Sequence, residues 1–196
     1  MKYHAAIQRI SAALHSRSPQ TLRVPNFIPA AVFIPFFEKN DEAHILFTRR
    51  SDTVEKHKGQ VSFPGGAREA GDPDLGFTAL REMEEEVGIP ADLAHIIARC
   101  DDFPTISDFL VTPFVGTIPY PYPHRISRDE VAEILEVPLS LFLTDRFFHI
   151  EDFTRKGRTY PVYFYDFNGT SIWGVTGYII NRFIEVVFDY NPAKGE

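Results

Sequence analysis

The sequence predicts an α+β fold in a single domain. Apolar runs with strand character are interrupted by only two or three segments of helical periodicity, and the two do not alternate as regular strand–helix–strand units. The chain of 196 residues is 44% hydrophobic and 14% aromatic, enough to close one core and too short for two independent enzymatic domains. An N-terminal helix and linker are expected over residues 1–25, and the core over 30–187.

Near the start, Ile7, Ile10 and Leu14 recur at helical spacing and predict an amphipathic helix docked on the domain. Polar residues break every apolar run of MKYHAAIQRISAALHSRSP, which predicts neither a secretory signal nor a membrane span. NPAKGE carries no retention or peroxisomal tripeptide, so a cytoplasmic location is the expectation.

The runs AAVFIPFF and AHILFTRR, separated by the polar EKNDE, predict a hairpin. Val61-Ser62-Phe63 has strand character and closes on Pro64-Gly65-Gly66, where two glycines permit close backbone approach. The clearest helix begins at Asp74: Leu80, Met83 and Val87 fall on one face, Asp72 or Asp74 can cap the start, and Gly88 with Pro90 ends it. Downstream, HIIARC, FLVTPFVGTI, YPVYFYDF and TSIWGVTG predict strands, while DEVAEILEVPLSLFL and GYIINRFIEVVF predict helices or helix-led segments. The Pro-rich PYPYP at 119–123 predicts a loop.

The formal charge of −7 gives no diffuse attraction for a nucleic-acid backbone or an anionic membrane. An anionic substrate must therefore be held locally, by a metal or a few placed cations. Cys100, the sole cysteine, excludes an internal disulfide and a cysteine-based zinc cluster, and is expected to be a small buried apolar residue.

The chemistry concentrates in Arg81-Glu82-Met83-Glu84-Glu85-Glu86. On a helix Glu82, Glu85 and Glu86 converge on one edge while Met83 and Val87 face the core and Glu84 points away. Like charges so close repel, a cost that a bound cation removes, and hard carboxylate oxygens suit Mg²⁺ or Mn²⁺. The hexapeptide alone is equally the solvated acidic face that most charge runs form.

Its flanks favour the metal. Arg81 to Ile89, REMEEEVGI, matches every defined position of the second half of the Nudix box, and the sequence is thereby similar to the Nudix hydrolases. The first half departs from the general pattern: Pro73 stands eight before Arg81 where glutamate is usual, Gly66 lies one position further upstream than the box glycine, and Asp72 or Glu69 is left as the acidic residue. The longer spacing resembles the coenzyme A diphosphatase (CoA pyrophosphatase) branch. The segment LFTRRSDTVEKHKGQVSFPGG, Leu46 to Gly66, looks like that branch's second signature, above all at His57-Lys58-Gly59-Gln60-Val61 and Phe63-Pro64-Gly65-Gly66. Weaker echoes at Val111–Val115, Glu130-Val131, Val137-Pro138-Leu139 and Ile172-Trp173-Gly174 extend the resemblance from about Ala30 to Val187.

The resemblance implies a Nudix fold, an α/β/α sandwich with a central mixed β-sheet, and a Mg²⁺- or Mn²⁺-dependent hydrolase. It would cut the diphosphate of CoA or an acyl-CoA into 3′,5′-ADP and the corresponding 4′-phosphopantetheine. By motif position Glu82, Glu85 and Glu86 would be metal ligands, Arg81 would orient Glu85, and a carbonyl of Gly65 or Gly66 would add a ligand. Glu85 is the first candidate for general base, with Glu86 next and Glu130 third; Glu130 is equally read as a capping or surface residue. His57 and Gln60 either contact phosphate or adenine or hold their loop; Arg49, a substrate candidate with them, or its neighbour Arg50 either reaches a phosphate or forms a surface ion pair. Trp173 is read as a packing residue. Two rivals stand beside this reading: a Nudix hydrolase for another nucleoside diphosphate derivative, such as ADP-ribose or a dinucleotide, and a non-catalytic nucleotide-binding module.

Overall fold

The computed structural model of the chain describes residues 1–51, 58–155 and 157–193. Helix α1 (Tyr3–His15) leads into β1 (Ile28–Lys39) and β2 (Glu42–Arg50), followed by β3 (Val61–Ser62), β4 (Gly65–Ala67) and α2 (Leu75–Val87). Strands β5 (His95–Arg99), β6 (Phe103–Pro104), β7 (Phe109–Thr117) and β8 (Val131–Pro138) complete the main sheet. Then come β9 (Phe148–Arg155), β10 (Arg158–Phe167), β11 (Thr170–Ile172) and α3 (Gly174–Phe188).

The main sheet runs β3-β2-β1-β7-β5, with β8 on the other side of β2, β4 beside β1 and β6 beside β7. The β1–β7 pair is parallel and the rest are antiparallel, so the sheet is mixed. Because strand side chains alternate between faces, β1 feeds two cores at once. Ala30, Ile34 and Phe36 pack with Ile10 and Leu14 of α1 and Ile180, Phe183 and Ile184 of α3. Ala31, Phe33 and Phe37 pack with Ala79, Met83 and Val87 of α2. Strand β2 repeats the division, with Ile45 and Phe47 on the α1/α3 side and Leu46 on the α2 side. Helices on both faces of a mixed sheet make the sandwich expected from the sequence, and each fully buried side chain of this kind contributes roughly 1.5–3 kcal/mol to it.

Strands β1 and β2 pair directly only near their shared turn, from Phe36↔Ile45 to Lys39↔Glu42. Beyond that they part, and the 61–67 segment fills the gap: Val61 and Ser62 bond to β2, Gly65 to Ala67 bond to β1, and Phe33 N donates to Pro64 O at 2.9 Å. Gly65 is required there, since a Cβ would lie 2.4 Å from Ala31 O. This wedge brings the two glycines under α2.

Helix α2 is capped by Asp74, whose Oδ1 accepts from Phe77 N at 2.8 Å, and it ends at Gly88 with φ +76°. Gly88 is also pressed against the following chain: a Cβ would meet Arg125 N at 2.6 Å and Arg125 O at 2.7 Å. Arg125 N bonds to Val87 O at 2.8 Å and Ser127 N to Glu86 O at 3.0 Å, so the 125–127 segment satisfies carbonyls that the helix end leaves open.

Two expectations are corrected. DEVAEILEVPLSLFL is not a helix but β8 followed by a short 3₁₀ turn, Leu139–Leu143. Its Ala, Glu and Leu content favours helix, but the whole outer edge of β2, from Arg50↔Val131 to His44↔Pro138, pairs with it. Both sheet faces are covered, so Ile134 packs toward α2 and Leu135 toward the other core, and apolar residues on both faces imitate helical periodicity. TSIWGVTG is strand only over Thr170–Ile172, and α3 already starts at Gly174. Gly177 lets that helix approach β10, because a Cβ there would lie 2.4 Å from Tyr163 O. Among the described residues no helix is long and apolar enough to cross a membrane.

Gly88→Ala is expected to lower the unfolding free energy by at least about 1 kcal/mol, from the left-handed backbone and the Arg125 contact together. Gly71→Ala, where a Cβ meets nothing within 4 Å, is the control. Urea denaturation of both variants measures the difference, and equal midpoints would contradict the account.

Candidate metal and diphosphate site

The edge of α2 that faces the wedge carries the acidic cluster, and Arg81 organises it. Its Nε donates to Asp72 Oδ1 at 3.0 Å and its Nη2 to Asp72 Oδ2 at 3.2 Å. Nη2 also reaches Glu82 Oε1 at 2.9 Å and Ala67 O at 3.2 Å, and Nη1 reaches Glu85 Oε2 at 2.8 Å. One planar fork thus ties together the 67–72 loop and two helix carboxylates, a geometry that lysine could not supply.

Asp72 is the anchor of this arrangement. It is 4% exposed and accepts from Glu69 N at 3.0 Å and Thr78 Oγ1 at 2.8 Å besides Arg81. Chiefly the Arg81 guanidinium, then the Glu69 N–H and the Thr78 hydroxyl, hold its carboxyl down at about 2 against the effect of burial. Of the two acidic residues left open by the sequence, Asp72 makes the close contacts, while Glu69 stays exposed with Oε1 3.9 Å from Arg81.

The three helix glutamates differ in surroundings. Glu86 is 3% exposed, and burial first, then the charge of Glu82, pushes its carboxyl up to about 8, with Glu130 adding to the shift and Arg50 and the Gly65 N–H opposing it. Thr48 Oγ1 lies 3.5 Å from Glu86 Oε2. Glu82, largely buried, is also raised, again by burial first, with Arg81 opposing. A Cβ on Gly66 would sit 2.5 Å from the Glu82 carboxylate, so the backbone touches this group directly. Glu85 is 56% exposed and turned to Arg81. Glu84 points away, as expected, and accepts from Ala91 N at 3.0 Å.

The remaining predicted residues divide. Glu130 precedes β8, is exposed, and is near enough to raise both Glu82 and Glu86. Arg49 is not brought to the cluster: it continues the Ile45/Phe47 face of β2, away from α2, and its Nε pairs with Glu133 Oε1 at 2.6 Å. Arg50 is on the cluster side, continuing the Leu46/Thr48 face. The sequence offered both arginines, and strand alternation counted from Leu46 is the signal that separates them. Gln60 O accepts from Arg50 N at 2.9 Å, which places Gln60 at the mouth of the wedge. His57 lies outside the described residues.

Two desolvated carboxylates side by side, with Glu130 beyond them and Arg50, Arg81 and the Gly65 N–H opposing, form a concentration of negative charge of the kind a hard divalent cation relieves. Among the described residues no three acidic, imidazole or thiolate groups already converge at metal-binding distance. Arg81 draws Glu82 and Glu85 toward itself. The donor set is nonetheless hard oxygen throughout, and Glu82 and Glu86 are four apart on one helix edge.

Residues 27–159 match the model of the NUDIX domain. Curated relatives include two proteins described as "Uncharacterized Nudix hydrolase NudL", from Yersinia pestis (strain Pestoides F) and Yersinia pseudotuberculosis serotype O:1b (strain IP 31758). Each is 40% identical over 158 residues, covering 81% of this chain and 79% of the relative. Among solved structures, the MutT/nudix family protein of Enterococcus faecalis aligns with a TM-score of 0.52 at 15% identity, covering 91% of this chain and 69% of that one, a likeness of fold.

Burial of Glu86 has a pH signature in the metal-free protein. Its folded-state value, about 8, lies above the ordinary carboxyl value of 4.5, so the folded state holds a proton that the unfolded state has lost. Stability therefore falls as pH rises from about 4.5 to about 8. Glu86→Gln removes this dependence and is expected to melt higher than the wild type at pH 8 in chelator, a difference that shrinks toward pH 5. Thermal melts at the two pH values check it; a variant that melts lower at both would contradict it.

Proposed function

Because the chain belongs to the Nudix hydrolase family, whose members act on phosphorus-containing anhydrides, we propose that it hydrolyses the diphosphate bond of CoA or an acyl-CoA, releasing 3′,5′-ADP and the corresponding 4′-phosphopantetheine. The observation that carries the reaction is the Glu82–Glu86 pair beside the Gly65-Gly66 wedge, two largely buried carboxyls that burial raises in spite of Arg81 and Arg50. What supports the substrate is the sequence of the segment from Leu46 to Gly66, with its HKGQV and FPGG motifs; of it, Val61-Ser62 form β3 and Gly65-Gly66 begin β4, beside the acidic edge.

Nudix hydrolases generally use divalent cations. Here Glu82 and Glu86, with Glu85 as the third carboxylate and a carbonyl of Gly65 or Gly66, would hold Mg²⁺ or Mn²⁺. When bound, such an ion neutralises phosphate charge and lowers the pKa of an attacking water.

The chain's own residues supply the rest. Glu86 must give up its proton before it can hold a cation, which couples loading to pH. Arg81 keeps Glu85 in place through the 2.8 Å bond and, by taking up the charge of Asp72, stays fixed itself. Glu85, exposed on the substrate side of that bond, is the favoured proton acceptor for the attacking water. Glu130 faces the same carboxylates from the start of β8 and is the alternative acceptor. The intact set Arg81, Glu82, Glu85 and Glu86 favours turnover over a purely binding role.

The test is release of 3′,5′-ADP from CoA by the purified protein with Mg²⁺, with Mn²⁺ and with chelator, beside ADP-ribose and a dinucleotide at equal concentration. Turnover strongest on CoA and lost in chelator is expected, and Glu86→Gln should abolish it while remaining folded. A preference for ADP-ribose or the dinucleotide would discard the CoA assignment and keep the chemistry, whereas silence on all three would favour a binding module.

A further inference from the structure

Arg50 is charged beside Glu86, and one nitrogen of its guanidinium is left without a hydrogen bond. Its Nε is buried with no hydrogen-bond partner, the one such buried side-chain atom among the described residues. The neighbouring cations are committed: Arg49 to Glu133, Arg81 to Asp72, Glu82 and Glu85, and Arg68 to the carbonyls of Asp72 and Pro73.

The backbone of Arg50 is held at both ends, its N–H by Gln60 O at 2.9 Å and its carbonyl by Gly59 N at 3.2 Å. Opposite Arg49 and Arg50 the pairing steps from Glu133 to Val131, so Ala132 is an extra residue on β8 and the ladder is locally broken beside Arg50. Two residues before it on the same face, Thr48 Oγ1 contacts Glu86. A buried guanidinium N–H without an acceptor is costly, and a charged phosphate oxygen is an acceptor that suits it.

We propose that Arg50 is a diphosphate-binding residue, its guanidinium donating to a non-bridging phosphate oxygen on the β2 side of the acidic cluster. This rests on the diphosphatase reading and adds a named anion contact to it. With carboxylates on the α2 side and one arginine on the β2 side, the site separates its duties: Glu82 and Glu86 attract cation, and Arg50 attracts the substrate's own charge.

The experiment measures two affinities by calorimetry, Mn²⁺ alone and inorganic pyrophosphate in Mn²⁺, for the wild type, Arg50→Gln, Arg50→Lys and Arg49→Gln. Removing a cation from beside Glu86 should tighten Mn²⁺ alone, while losing a charged hydrogen bond should weaken pyrophosphate by about tenfold or more. Arg50→Lys should fall between the wild type and Arg50→Gln on both scales. The opposite signs separate a ligand contact from damage to the fold, which would weaken both. Pyrophosphate affinity in Arg50→Gln equal to the wild type, or a larger loss in Arg49→Gln, would overturn the assignment while leaving the diphosphatase reading intact. A wild type that binds Mn²⁺ but not pyrophosphate would overturn both.

Discussion

Arg81 lets like charges share one edge of a helix. Asp72, Glu82 and Glu85 all bond to its guanidinium, and through Asp72 and Ala67 O it also fixes the loop that carries the wedge glycines. Without that fork three carboxylates would repel across a partly desolvated surface, and the 67–72 loop would lose its attachment to α2. Glu86 lies outside the fork's reach, and burial with the Glu82 charge raises its carboxyl to about 8 instead. The same fold that compensates Asp72 thus leaves Glu86 uncompensated, and the contrast between values of about 2 and about 8 for two carboxyls serving one helix is the electrostatic outline of the site.

The rest of the structure serves to present this edge. Strands β1 and β2 part after four paired positions, and the opened gap accepts a glycine-rich segment that a Cβ at Gly65 or Gly66 would push out. Met83 and Val87 lock the opposite face of α2 onto Phe33 and Phe37, which fixes the height of the carboxylates above the sheet. At the far end Gly88 lets the 125–127 segment close over the helix terminus, and that segment delivers Glu130 to the cluster.

What was legible in the sequence follows from range. Helix α2 was readable because its signals are local: the Asp74 cap, the Leu80/Met83/Val87 stripe and the Gly88 stop act within a few residues. The convergence of Glu82 and Glu86 followed from the same 3.6-residue repeat. Strand β8 was not readable, because its assignment depends on the free edge of β2, more than eighty residues earlier, and local helix propensity argued the other way. Strand alternation puts Arg49 and Arg50 on opposite faces of β2, but which face α2 occupies is fixed only by the packing of Leu46 against that helix. Asp72 displaced Glu69 as the partner of Arg81 for a similar reason: both are acidic and near in sequence, but only Asp72 is buried where Thr78 and the Glu69 N–H also reach it.

Anomalous scattering from crystals grown with Mn²⁺ tests whether this edge of α2 holds a divalent cation. A manganese peak within coordination distance of Glu82 and Glu86 carboxylate oxygens is the predicted result. A fully occupied manganese elsewhere, with Glu86 still buried and unliganded, would contradict the account.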